Sequence, residues 1–407
     1  MFPSNNLCLI LILISSCCAT QRTLKTFLNP GCNDLCIVEN VTTVYLRAEG
    51  STDTLHYIWD FFGNPSLLLA VTSPSTQLNV NWNEYLLNQP NSIQFTEEPQ
   101  YTFGVVLQKF YEFNDVNDTG VLGTMNDANI NVLDTKMFNW IRNGVSNNTN
   151  FVELLMNGND YNDFFAHTKR QGDVQIMLNG FCTLDHSDVM PHMLHSENST
   201  QIDIVLNNLQ TNSSFTSSRF AMELLLVSES ETRTGMFVDA KKSLDDEHTP
   251  GIFEVIELRT PLVKLPNGEQ SSAYLQWRPV SYTGPSRDVS ESTEIVNYLL
   301  VNITKKANVA KNSLLHAYYG KRIEQLLVEK MNVSLGMKGD GFYKKNNYST
   351  WTFLVGYGTP PAEQFSYLVI MIMAIGLGLP VLLMLAVGIY FCVRRIPKRY
   401  DNAFINS

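Results

Sequence analysis

The stretch YLVIMIMAIGLGLPVLLMLAVGIYFCV, Tyr367 to Val393, runs 27 residues without a charge. As a helix rising about 1.5 Å per residue it exceeds the ~30 Å hydrocarbon core of a bilayer. Arg394, Arg395, Lys398 and Arg399 follow at once, and basic residues accumulate on the cytoplasmic side of a membrane helix. The expected layout is a membrane helix at 367–393, a cytoplasmic tail of 14 residues at 394–407, and everything earlier on the far side of the membrane. The folding problem therefore reduces to one ectodomain on a single anchor.

The amino terminus agrees. Leu7 to Cys18 is apolar but too short to span, and Ala19 supplies a small residue for cleavage, so residues 1–19 read as a secretory signal peptide. Only the α-amino group supplies positive charge there, because Met1 to Asn6 contains no Lys or Arg. Signal plus late span predicts a single-pass type I protein with a lumenal ectodomain at 20–366. That segment holds eight Asn-X-Ser/Thr sequons, at Asn40, Asn117, Asn147, Asn198, Asn212, Asn302, Asn332 and Asn347, while Asn64 drops out because Pro65 follows it. Their confinement between signal and span predicts a glycosylated secretory-pathway domain, with each modified asparagine at the surface.

Removing the +3 tail from the total charge of −10 leaves −13 for the ectodomain. An acidic surface of this kind excludes nucleic acid, which requires a basic patch. Three cysteines face the oxidising side, Cys32, Cys36 and Cys182. One disulfide is expected, with the third thiol reduced or bridged to another chain, and spacing alone leaves the pairing open.

Within the ectodomain the hydrophobic period is two. Leu78, Val80 and Trp82 alternate with polar residues, as do Phe103, Val105 and Leu107, then Val174, Ile176 and Leu178, then Ile202, Ile204 and Leu206. Such runs, cut by Asn, Gly, Pro and Ser clusters, predict antiparallel strands. Leu314, Leu315, Tyr318, Ile323, Leu326 and Leu327 form a helical stripe interrupted at Gly320. The fold class is mainly β, a sandwich-like ectodomain plus one C-terminal transmembrane helix. About 345 residues exceed one ordinary sandwich, which admits two packed subdomains. The Asn- and Ser-rich segment from His195 to Ser218 reads as a long exposed connection.

No catalytic constellation emerges. Asp118-Thr119-Gly120 matches the aspartic-protease triplet, but no second Asp-Thr/Ser-Gly supplies the partner carboxylate, and a glycan on Asn117 would obstruct the cleft. Asp185, His186, Asp188, His192 and His195 offer oxygen and nitrogen ligands, yet a metal would need three or four of them to converge. Asp245-Asp246-Glu247-His248 reads as a solvated loop closed by Pro250 and Gly251. No catalytic, cofactor or metal residue is assigned.

Several strings in order carry a resemblance: Leu55-His-Tyr-Ile-Trp-Asp60, Leu78-Asn-Val-Asn-Trp82, Asn91-Ser-Ile-Gln-Phe95, Ser243-Leu-Asp-Asp-Glu-His-Thr-Pro-Gly-Ile-Phe253, Gln276-Trp-Arg-Pro-Val-Ser-Tyr282 and Val355-Gly-Tyr-Gly-Thr-Pro-Pro361. The chain resembles the glycosylated lysosomal membrane protein family from about Thr43 to its C-terminus. The resemblance implies a non-enzymatic type I glycoprotein of the lysosomal membrane. It also implies a role as accessory subunit, one that shields a major-facilitator-superfamily dipeptide transporter from lumenal proteases and supports its lysosomal residence. A docking face for that partner should lack sequons, which points to Asn64–Asn91 and Gly235–Lys305, free of usable sequons except Asn302. Ala374, Gly378 and Ala386 could let another helix approach the membrane span closely. In the tail, Tyr400 begins a sorting-signal pattern that fails at Ala403, with Phe404 and Ile405 supplying bulk too late. The alternative reading is a cell-surface or endosomal receptor or adhesion glycoprotein.

Overall fold

The computed structural model describes residues 22–395 apart from 33, 125, 149–150, 231–233, 244–247, 266–267, 307–309 and 363–366, with backbone alone at 124, 146–148, 151, 367 and 393. The signal segment and the tail residues Tyr400, Phe404 and Ile405 lie outside the described residues. Residues up to Pro361 form one compact unit, and the C-terminal helix belongs to a second.

The alternating runs become strands: β1 (Thr23–Leu28), β2 (Thr43–Glu49), β3 (Thr54–Asp60), β4 (Ser66–Thr72), β5 (Tyr101–Asn114), β6 (Asn139–Asn148), β7 (Phe151–Asp163), β8 (Thr168–Phe181), β9 (Ser199–Asn207), β10 (Ser218–Ser228), β11 (Phe237–Lys242), β12 (Glu254–Arg259), β13 (Ala273–Trp277), β14 (Val280–Tyr282), β15 (Ser292–Asn297), β16 (Leu327–Leu335) and β17 (Tyr348–Tyr357). One sheet orders them β1-β2-β3-β4-β5-β10-β16-β15-β14, the other β11-β12-β13-β17-β9-β8-β7-β6. The ectodomain's length goes into the breadth of these two sheets.

Inward-facing side chains of both sheets make the main core. Val44, Leu46, Trp59, Val105 and Leu107 from the first sheet are buried in one cluster with Ile176, Leu178, Ile202, Ile204, Trp351 and Phe353 from the second. In β5 the inward spacing jumps from Leu107 to Phe110. The register explains it: Leu107 faces Leu224 and Lys109 faces Glu223, leaving Gln108 as an extra residue. This β-bulge restores Phe110 to the core side.

The outer face of the first sheet is covered as well. Ile58, Leu68, Val106, Leu225 and Val328 meet a cap built from α2 (Trp82–Leu86) and α3 (Leu314–Tyr319). Trp82 therefore opens a helix instead of ending a strand, with the Asn81 side chain accepting from the Glu84 amide. The helical stripe is also shorter than its apolar pattern. Gly320 has φ +50°, a 3-10 turn runs to Gln325, and Leu327 already belongs to β16. The His195–Ser218 reading needs a larger correction. Ser199–Asn207 is a central strand of the second sheet, because Ile202, Ile204 and Leu206 must reach the core, and only the residues after Asn207 connect to β10.

The outer face of the second sheet is polar yet buried. Gln201, Asp203, Thr350 and Thr352 are all enclosed. Arg287 forms an ion pair with Asp203, to which Thr352 also donates, and a second Arg287 nitrogen donates to the Met190 carbonyl at 2.6 Å. The short helix α1 (Asp34–Val38) brings Cys36 to Cys32, and these two form the disulfide. Cys182 stays a buried thiol in the main core.

Candidate functional site

The Asp118-Thr119-Gly120 triplet is a structural knot. Asp118 sits at φ +51°, in a left-handed turn that aspartate tolerates. The Asp115 carboxylate accepts from the Thr119 and Gly120 amides at 2.8 and 2.6 Å and from Arg219 Nε at 3.0 Å. Arg219 spends its remaining nitrogens on Asp118 and Asp340. Burial pushes the Asp115 carboxyl up, but the Thr119 and Gly120 N–H groups, the Thr119 hydroxyl and the Arg219 charge together hold it below the usual carboxylate range. One guanidinium thus ties the end of β5, the start of β10 and the loop after β16.

A second polar cluster surrounds His56 on the capped face of the first sheet. Tyr45 Oη lies 2.7 Å from His56 Nδ1, and His56 Nε2 lies 2.7 Å from Thr72 Oγ1. Thr72 donates its own proton to the Ser73 carbonyl, so it accepts from His56, and the ring is neutral with hydrogen on Nε2. Burial, and then the positive charge of Arg47, lower this imidazole to about 3. Nearby Asp60 is buried under Thr43 Oγ1 and the Phe62 amide, and burial raises its carboxyl.

The histidine-bearing loop after β8 lines a cavity of about 440 Å³ on the outer face of the second sheet. Asp185, His186, Asp188 and His195 all contribute, with Glu153, Asn179 and Phe181. The rings do not converge on a point. His195 stacks on Phe181 at 3.4 Å and hydrogen-bonds the Thr183 carbonyl through Nδ1, His186 stacks on His248 at 3.6 Å, and His192 Nδ1 faces the Ser187 carbonyl. Among the described residues no group of His, Cys, Asp or Glu side chains is placed to hold a metal ion. Burial lowers His195 to about 4. Glu153 escaped sequence reasoning because strand pairing, which sets it opposite Asn179, brings it to this loop, whereas Asn179 and Phe181 lead into the loop but face outward on β8 and look like ordinary surface in the sequence. The acidic run Asp245–Glu247 lies outside the described residues.

Asn40, Asn117, Asn302 and Asn347 are exposed, while Asn198, Asn212 and Asn332 are half-buried. The Asn147 side chain lies outside the described residues, but its backbone is on β6, an outer edge of the second sheet. The opposite edge is β11, and no sequon falls between Gly235 and Val301. Phe237 on that edge is 50% exposed and Leu262 beyond β12 is 56% exposed. The terminal helix α4 (Tyr367–Arg395) runs unbroken through Pro380, and Leu368–Cys392 is long and apolar enough to cross a membrane. Ala374 and Ala386 are exposed on it, and a Cβ added at Gly378 would meet nothing within 4 Å.

Comparison with known proteins bears on these features together. The family model described as glycosylated lysosomal membrane protein matches residues 42–398. Glycosylated lysosomal membrane protein A of Xenopus laevis is 31% identical over 401 residues, covering 94% of this chain and 92% of the relative. The Danio rerio glycosylated lysosomal membrane protein is 28% identical over 93% of this chain and 90% of its own, and the Homo sapiens protein 23% identical over 88% and 85%. A mainly β domain with a disulfide, followed by one span-length apolar helix, belongs to a chain matched over nearly its whole length: the protein is a member of the glycosylated lysosomal membrane protein family.

Proposed function

We propose that this lysosomal membrane glycoprotein is a non-enzymatic accessory subunit. In this reading it is single-pass type I with its N-terminus in the lumen. It covers the lumenal loops of a major-facilitator-superfamily dipeptide transporter, protects them from proteases and supports the transporter's residence in lysosomes. Proteolysis needs an extended, reachable segment, and a broad glycosylated sandwich on the same membrane denies that access sterically. The observation that supports the reading best is the asymmetry of the second sheet. Its β6 edge carries a sequon at Asn147, whereas its β11 edge carries none and exposes Phe237. An open strand edge is a template for another chain, and a sequon-free one is where a partner loop is to be sought.

The test is a glycan wedge. Ala240→Asn combined with Lys242→Thr creates a sequon on β11. The full-length wild type, purified from mildly solubilised membranes, should bring down a stoichiometric multi-spanning transporter, and the wedge should not. Transporter protein, but not its mRNA, should fall in cells carrying only the wedge. Recovery of a cell-surface ligand in place of any transporter would overturn the reading in favour of a receptor.

A further inference from the structure

The cavity on the outer face of the second sheet has a composition that structural duty does not explain. Its charged lining is acidic: Glu153 from β7, and Asp185 and Asp188 from the loop after β8. Among the described residues neither Lys nor Arg lines it. Asn179 on β8 also lines it, is only 3% exposed, and its Oδ1 has no hydrogen-bond partner among the described residues. Directly opposite it in the register is Gln201, 0% exposed, whose two amide atoms are likewise unpartnered. Native interiors satisfy nearly all such groups, so an orphan Asn179 Oδ1 lining a cavity, with the unpartnered Gln201 amide across the strand pair, calls for a missing partner. An amide can turn either end to that partner.

His195 adds a further acceptor. Its Nδ1 donates to the Thr183 carbonyl, so its Nε2 carries a lone pair in the neutral ring, and no described residue bonds to that atom. Its ring and that of Phe181, stacked 3.4 Å apart, form a flat aromatic wall. The cavity therefore combines carboxylates, neutral acceptors and an aromatic surface within a volume typical of small-ligand sites.

We propose that this cavity binds a donor-rich organic cation, an ammonium or guanidinium group on an aliphatic stem. The carboxylates supply the charge complement, the Asn179 amide and His195 Nε2 accept hydrogen bonds, and the Phe181–His195 wall packs the stem. The same chemistry could arrive as a free amine or as a Lys or Arg side chain of an extended peptide segment. The inference is independent of the transporter reading, since the cavity is complete within this chain.

The experiment is isothermal titration of the full chain in non-ionic detergent with agmatine, with acetyl-Gly-Arg-Gly-amide, and with butyrate as the anionic counterpart. Saturable one-to-one binding of agmatine or the peptide is expected, with none of butyrate. Glu153→Gln combined with Asp188→Asn should weaken that binding at least about tenfold and leave the urea midpoint unchanged, since Asp188 is exposed and Glu153 half-exposed. Phe181→Leu provides a second variant that keeps every charge and should also weaken binding. Tighter binding of agmatine identifies a free amine as the source, and tighter binding of the peptide identifies a partner side chain. Absence of saturable binding of both up to about 10 mM, far weaker than the usual ligand range, overturns the proposal. Binding that survives Glu153→Gln and Asp188→Asn undiminished overturns it as well.

Discussion

Substituting His56→Gln should change how stability depends on pH more than it changes stability itself. The imidazole is neutral in the fold down to about 3, whereas an unfolded histidine titrates near 6.5. Below 6.5 the unfolded chain therefore binds a proton that the native chain refuses. Stability falls with decreasing pH through that window and levels off only below the folded value. Between pH 7 and pH 5 the loss from this one residue is about 2 kcal/mol, at 1.36 kcal/mol per pH unit. Glutamine can accept from Tyr45 Oη and donate to Thr72 Oγ1, but it gives up the ring contacts with Tyr45 and Phe95. At pH 7 the variant should be less stable by roughly 1–2 kcal/mol. At pH 5 that deficit should vanish or reverse. Urea unfolding of the full chain in detergent can be followed by tryptophan fluorescence, since the five tryptophans all precede the membrane helix. Parallel pH profiles for wild type and variant, differing by a constant offset between pH 7 and pH 5, would show that His56 titrates normally in the fold and would refute the argument.

Arg219→Met should cost roughly 3–5 kcal/mol, because Asp115, Asp118 and Asp340 are left without their shared cation; a loss below 1 kcal/mol in urea unfolding would count against the knot. The Asp115 contribution has the same pH sense as that of His56, in a lower window. Its folded value is depressed, so its contribution is present above the unfolded value near 3.9 and disappears only as pH falls through the lower folded one. Asp115→Asn should accordingly destabilise equally at pH 7 and pH 5 and progressively less below pH 4. Gly172→Ala should lower the unfolding midpoint sharply, since Gly172 has φ +90° and an added Cβ would sit 2.0 Å from the Asn208 carbonyl oxygen; an unchanged midpoint would mean the β8 start can shift. Cys32→Ser should cost about 2 kcal/mol, as expected for a very short closed loop, and Cys182 should react with iodoacetamide only after unfolding, a result that mass spectrometry distinguishes from surface labelling.

The strands that keep strict alternation were legible because one face must be apolar. Phe103, Val105 and Leu107 announce β5, and Val174, Ile176 and Leu178 announce β8. β9 shows how flanking composition misleads: Asn and Ser on either side hid a central strand whose own Ile202, Ile204 and Leu206 were plain. Burial of the polar face of the second sheet could not be read at all. Asp203 is satisfied by Arg287, 84 residues away, and no local period encodes such a pairing. The histidine loop was visible as a collection of ligands, but its cavity depends on Asn179 and Phe181, whose polar and aromatic outward positions look like ordinary surface in one dimension.

The placement of β17 governs how this protein must be made. It is the last strand before the membrane helix, yet it sits between β13 and β9 in the interior of its sheet. Until it arrives, β9 is an open edge and the sheet exists as two separate halves. The sheet therefore completes only when nearly the whole chain preceding the apolar helix has been synthesised. During that interval the sequon at Asn198, which immediately precedes β9, is not yet covered by the strand whose Tyr357 amide binds its carbonyl. Asn198, half-buried in the finished fold, is thus less enclosed while the chain is being synthesised. Chains truncated before Tyr348 would remain open-edged and become substrates for retention and degradation.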